Sequence, residues 1–177
     1  MNRTIAHILN IFLLAALIIG SAMVWDNLPE RIPVHMSLDG VVDRWENRSF
    51  WSWFTVPMVA VAIMGILYLC ARLIVRRPDL INLPNKKEFL ELSPQQQAPI
   101  IQLVRSFLYW IGVSTAATLL LVQYGMYRAA FGSYSDMYGV VGGLTIVVMG
   151  PLISLVVILK VQARMDAEKR KMASGRA

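Results

Sequence analysis

The chain has 177 residues, 56% of them hydrophobic and 16% charged, with a net charge of +6. That is more apolar and less charged than a soluble domain and points to a membrane protein. A single cysteine, Cys70, lies inside an apolar run and excludes a disulfide-stapled scaffold, while basic residues placed beside apolar segments argue against direct nucleic-acid binding.

The first apolar segment runs from Ile5 to Trp25 and meets the requirement of about 20 residues for a helix to cross the hydrocarbon. Arg3 before it and Gly20-Ser21-Ala22 near its end resemble a cleavable signal, but the apolar run continues to Trp25 and favours a retained anchor. After it comes the polar stretch LPERIPVHMSLDGVVDRW, Leu28 to Trp45. Pro29 and Pro33 fix φ and force extended geometry on the residue before each of them. Asp39-Gly40 between apolar alternation is a hairpin signal, because the tight turn needs positive φ at its centre.

A two-residue turn there pairs Leu38 with Val41, Met36 with Asp43, His35 with Arg44 and Val34 with Trp45. This register predicts one apolar face of Val34, Met36, Leu38, Val41 and Trp45, and it separates His35 from Asp43 onto opposite faces. His35, Asp39 and Asp43 at four-residue spacing would share a face of a helix, but Pro33 and Gly40 oppose a helix and the set is a weak zinc signature. No metal ligand is assigned to this stretch.

A second span is expected from Phe54 to Val75, a third from Phe107 to Tyr127 and a fourth from Met137 to Leu159. Ser93 is a natural N-cap and Pro94 fits the first helical position, so the third helix should start well before its apolar part. Trp25, Trp51, Trp53, Trp110 and Tyr127 fall at predicted interfaces and are expected to anchor there. Gly139 and Gly143 form a small-xxx-small pattern suited to close helix packing, and Gly112 with Ala116 forms a weaker one. The expected fold is therefore an all-α integral membrane protein of four transmembrane helices, with a short structured loop, a hairpin, between the first two.

Lys and Arg alternate in density along these spans. Arg3, Arg72, Arg76, Arg77, Lys86, Lys87, Arg105, Lys160, Arg164, Lys169, Arg170, Lys171 and Arg176 lie on one side, and Arg31, Arg44, Arg48 and Arg128 on the other. By the positive-inside rule both termini are cytoplasmic and the hairpin faces outward.

The outer stretch resembles bacterial membrane proteins with domain of unknown function 1648, a module also found in the Sdp immunity proteins. The resemblance rests on Leu28, Pro29, Ile32, Pro33, His35, Gly40, Asp43 and Trp45, and on a second stretch, NLPNKKEF, through Pro84, Asn85 and Lys86. It implies a module over 1–92, followed by a second helical pair over 93–160 and a basic cytoplasmic tail over 161–177. It also implies a bacterial cytoplasmic membrane, and immunity or signalling as the setting, with a secreted peptide outside or a transcriptional repressor inside as partner.

Function is read accordingly. No nucleophile–base pair, HExxH or phosphate-binding glycine loop appears, so neither an enzyme nor a cofactor is expected. The leading expectation is a non-enzymatic multi-pass protein that recognises a peptide, a lipid or a partner protein at its outer loop. The second is a small transporter or an accessory subunit of a transport complex. Membrane lipids are expected partners of either, and a homo-oligomer is compatible with both.

The topology has a direct test. With Cys70→Ser as background, a cysteine at Ser37 should react with an impermeant thiol reagent on intact cells. One at Ser174 should react only after the membrane is opened; labelling of position 174 from outside would overturn the orientation.

Overall fold

A computed structural model of the chain describes residues 2–37, 41–83, 85–132 and 150–174. Helix α1 (Arg3–Met23) starts where Asn2 Oδ1 accepts from the backbone N–H groups of Thr4 and Ile5, at 2.9 and 3.3 Å, satisfying two of the donors a helix start leaves open. A 3-10 turn over Trp25–Asn27 leads into strand β1 (Arg31–Met36), which pairs antiparallel with β2 (Val42–Asn47). Helix α2 (Phe50–Arg76) opens on a capping box in which Ser49 and Ser52 bond each other's backbone N–H, and it carries Pro57 within its length. The short α3 (Lys86–Glu91), the 37-residue α4 (Pro94–Ala130) and α5 (Gly150–Ser174) follow.

Three of these helices, α1, α2 and α4, are long and apolar enough to cross a membrane. The expected start of the third helix is observed: Ser93 and Gln96 form a capping box and Pro94 is the first helical residue. The fourth expected span, Met137 to Leu159, falls largely outside the described residues, and so do Gly139 and Gly143. What is described of that region is α5, which passes through Lys160 and Arg164 and thus carries helix well into the expected basic tail.

The distribution of polarity is that of a bundle in lipid. Ile8, Ile11, Phe12 and Ile19 of α1 and Ile66 and Leu69 of α2 are exposed, while Asn10, Ser21, Thr118 and Gln123 are buried. Hydrocarbon offers no hydrogen bonds, so these polar side chains turn inward to backbone partners. Asn10 Nδ2 donates to Tyr109 O at 2.9 Å, Thr118 Oγ1 to Ser114 O at 2.9 Å, and Gln123 Nε2 to Trp53 O at 3.3 Å.

These contacts also fix the packing order. Asn10 meets Tyr109 and Gly112, and His7 meets Tyr109, so α1 and α4 run parallel; His7 against Tyr68 and Ser21 against Trp53 set α2 antiparallel to α1. Helix α4 is the central element, touching α1, α2, α5 and β1.

Two apolar clusters close the ends. At the end holding the α2–α4 connection, Phe89 of α3 is fully buried among Ile74, Ile81, Ile100, Val157, Val161 and Met165. The spacing of Val157, Val161 and Met165 lays one stripe of α5 on this cluster. In the same connection Arg77 Nε and Nη2 reach the two carboxylate oxygens of Asp79 at 3.0 and 2.9 Å, and that hydrogen bond holds the Asp79 carboxyl below its ordinary range. At the opposite end Leu28, Ile32, Trp53 and Met126 pack together.

Trp53 departs from its expected role. It is 1% exposed, and its indole N–H donates to Ser21 O at 3.0 Å, so it is a core residue of the bundle and not an interface anchor. Trp51, two residues earlier, is 70% exposed, because a two-residue step on a helix moves a side chain to the other side.

Gly112 is buried in the α1–α4 seam. A Cβ there would lie 3.0 Å from both side-chain heteroatoms of Asn10 and 3.2 Å from Met64 Sδ, whereas one at Gly20 would meet nothing within 4 Å. Gly112→Leu should therefore cost about 1–3 kcal/mol by overpacking. Gly20→Ala should be neutral or up to about 1 kcal/mol stabilising through helix propensity. Melting temperatures in one detergent check the pair, and equal values for both variants would contradict the tight seam.

Candidate functional site

Three residues of the hairpin stretch leave the surface. Leu28 is 4% and Ile32 0% exposed, and both join Trp53 and Met126; Pro33 is also fully buried. Strand β1 accordingly lies on α4 and α2, and β2 is the outer strand, half-buried at Val42 and exposed from Asp43 to Asn47. A proline suits this inner position, where its ring contributes apolar area and its missing N–H needs no partner.

The hairpin is tied to the end of α1 by Arg48. Its Nη1 donates to Leu28 O at 2.7 Å and to Trp25 O at 3.2 Å, with Asp26 O at 3.5 Å, and its guanidinium lies 5.6 Å from the Trp25 ring centroid. Its backbone N–H donates to Glu30 O at 2.7 Å. The carbonyls at the end of a helix are short of donors, and a cation there meets the negative end of the helix dipole. Trp25, Phe54 and Phe50 continue the contact as a row of rings at centroid distances of 5.6 and 4.8 Å.

The register differs from the two-residue-turn expectation. Ser37 N–H donates to Val41 O at 2.9 Å, so three residues separate the last paired positions; the expected turn centre, Asp39-Gly40, lies outside the described residues. Arg31 pairs with Asn47, Ile32 with Glu46, Pro33 with Trp45 and Met36 with Val42, each one position from the expected register. His35 does pair with Arg44 as expected, because an irregularity on either side of it makes Val34 the extra residue on β1 and Asp43 the extra one on β2.

This slip reverses one expectation. His35 Nδ1 and Asp43 Oδ1 are 2.6 Å apart, so the two side chains share a face. A one-residue change of register moves a side chain across the sheet, and the local irregularities bring Asp43 to the histidine. An ionised carboxylate only accepts, so Nδ1 is the ring nitrogen that carries the proton in this pair. Both side chains are about half exposed, at 58% and 47%, and such a pair contributes about 0–1 kcal/mol to stability.

The single apolar face is not formed either. Val34 packs on the cluster beneath, whereas Val41 and Trp45 are 46% and 40% exposed; Leu38 and the Met36 side chain lie outside the described residues. Gly40 does so too. Among the described residues no three His, Cys, Asp or Glu side chains converge.

Residues 11–61 match the family model of the domain of unknown function DUF1648. The match takes in most of α1, the whole hairpin, Arg48 and the first turns of α2, which is the clasped unit just described. It does not reach the second stretch that carried the resemblance. There Pro84 lies outside the described residues, Asn85 has left-handed geometry with φ 58° as the N-cap of α3, and Lys86 is the first residue of α3. These residues place Phe89 in the cluster at the other end, far from His35. No curated protein and no solved structure matches the chain.

Sequence reasoning missed Arg48, which it counted only as an orientation charge. The available signal was a guanidinium directly after a strand and opposite the last carbonyls of a preceding helix. Arg48→Ala should cost about 1–3 kcal/mol by leaving those carbonyls without their charged donor. It should also raise amide exchange in Arg31–Met36 and Val42–Asn47 about tenfold or more. Arg44→Ala should leave that exchange unchanged, and unchanged exchange in Arg48→Ala would mean that Ile32 packing alone holds the hairpin.

Proposed function

We propose that the chain is a non-enzymatic multi-pass protein of the bacterial cytoplasmic membrane, whose outer hairpin recognises a membrane-active peptide in immunity or signalling of the Sdp type. In this reading four helices span the bilayer, both termini are cytoplasmic, and the basic end is the docking side for a repressor. One observation carries the recognition role: a strand anchored by Ile32 and Arg48 presents the hydrogen-bonded His35–Asp43 pair beside exposed Val41 and Trp45. An aromatic anchor with a few fixed polar groups is what a binding surface requires. The mixed signs of Arg31, His35, Asp43, Arg44 and Glu46 suit a peptide backbone and its charged side chains better than a headgroup of one sign.

A transport role is the second reading. It draws on Asn10 Oδ1 and Gln123 Oε1, which are buried between helices without a hydrogen-bond partner. Substitution of either by an apolar residue of similar size would abolish transport, but would leave hairpin recognition intact.

The recognition reading predicts that His35→Ala and Asp43→Ala keep the melting temperature within about 5 °C of the parent, as loss of an exposed pair costs about 0–1 kcal/mol. Peptide co-purified with the parent and quantified by mass spectrometry should fall about tenfold or more in both variants, equivalent to about 1.4 kcal/mol. Retention of lipid or a protein in its place would reassign the ligand. About one zinc ion per chain in the parent, lost in both variants, would replace the reading with a metal site. If both variants fail to accumulate, the pair is a structural clasp.

A further inference from the structure

We propose that the chain carries a site for one anionic phospholipid, with the phosphate held between Arg3 and Arg105 and an acyl chain in the groove between α1 and α2. The site lies at the end of the bundle opposite the hairpin, in the leaflet next to the start of α1. It depends on the membrane-spanning character of α1, α2 and α4 and not on hairpin recognition.

Two guanidiniums converge there on one neutral oxygen. Arg3 Nη1 donates to Gln102 Oε1 at 2.8 Å and Arg105 Nη1 to the same atom at 3.4 Å. Arg105 Nε is buried and has no hydrogen-bond partner. Among the described residues the ion pairs are His35–Asp43, Arg44–Glu46 and Arg77–Asp79, so no carboxylate neutralises Arg3 or Arg105. Two like charges drawn to one amide oxygen repel each other, and a buried unpaired donor costs desolvation; a phosphate with several acceptor oxygens relieves both. Arg3 is also the first residue of α1, where the helix dipole favours an anion.

The groove continues the site into the hydrocarbon. One turn beyond Arg3, His7 Nδ1 lies 2.5 Å from Tyr68 Oη and the His7 ring stands edge-on to Tyr109, itself one turn beyond Arg105. His7 and Tyr68 then form the mouth of an apolar groove of about 300 Å³, lined further by Ile11, Leu14, Val61 and Gly65. Its volume is twice that of an engineered apolar cavity of about 150 Å³ that takes up benzene, enough for a stretch of acyl chain. A charged, hydrogen-bonding head above and an apolar trough below are joined by the amphipathic His7–Tyr68 pair at interface depth, where such rings settle. That order matches a phospholipid and not a free anion, which has no use for the groove.

Native mass spectrometry with mixed micelles of phosphatidylglycerol and phosphatidylcholine tests the site. The parent should retain one phosphatidylglycerol with about tenfold preference over phosphatidylcholine, because basic residues near an anionic headgroup attract it. Arg3→Gln with Arg105→Gln should bring the preference to parity. Lys87→Gln, which removes a charge at the same end, should keep it. Gly65→Leu starts into the groove from open space, since a Cβ there meets nothing within 4 Å, and it should lower retention of both lipids. If the double variant does not fold, Arg3→Gln alone, at the exposed end of α1, should at least halve the preference. Equal retention by the parent, or an unchanged preference in the arginine variants, overturns the proposal. So does displacement of the lipid by an excess of inorganic phosphate, because the site would then read phosphate without the chain.

Discussion

The guanidinium of Arg48 bonded to the carbonyls of Trp25 and Leu28 determines where the chain can go after its first crossing. The turn that leaves a helix presents carbonyls whose bonds the helix no longer makes and lipid cannot supply. Meeting them with a cation twenty residues farther along folds the intervening segment back on itself. The strand nearest the bundle then receives Ile32 and Pro33 as core, and Trp53 of the next helix closes beneath them. The hairpin and the two helix ends that flank it are thus one packed unit, and that unit is what the family model matches.

Within the bilayer the forces are arranged differently. Lipid tails are as apolar as leucine, so burying leucine gains little, and the helices are held by close approach and by polar groups that have nowhere else to bond. Helix α4 serves both needs. Gly112 lets Asn10 of α1 reach the Tyr109 carbonyl, and Gln123 reaches the Trp53 carbonyl of α2. The length of α4 follows from its two environments: its first turns carry Ile100 and Ile101 into the cluster formed with α3 and α5, and its last carry Met126 to the hairpin.

The two strands of the hairpin divide the labour of such a loop. The inner one is buried at Ile32 and Pro33 and stabilises; the outer one is exposed from Asp43 to Asn47, so its side chains there add little packing. Paired irregularities are what allow His35 and Asp43 to meet while Ile32 stays inside. The pair's exposure makes it a weak structural bond but a well-oriented polar group, since the carboxylate fixes which ring nitrogen carries the proton.

Much of the architecture was legible in the residues. Length and continuity of apolar runs predict four crossings, and three of them coincide with helices long and apolar enough to cross a membrane, because a helix satisfies its own backbone in hydrocarbon; Ser93-Pro94 marks its helix start through local capping alone. The presence of a hairpin between the first two crossings followed from prolines and an Asp-Gly turn signal. The register did not, for a turn of two residues and one of three read alike until β1 is laid on α4, and the choice between them decides whether His35 faces Asp43. Nor did the sequence separate Trp51 from Trp53, or reveal that Arg48 and the Arg3–Arg105 pair are more than orientation charges. Spans, caps and turn residues are fixed by interactions within a few residues, which sequence spacing records; strand register, the burial of one tryptophan of two and the partners of an arginine depend on atoms twenty to a hundred residues away, which only the packed chain brings together.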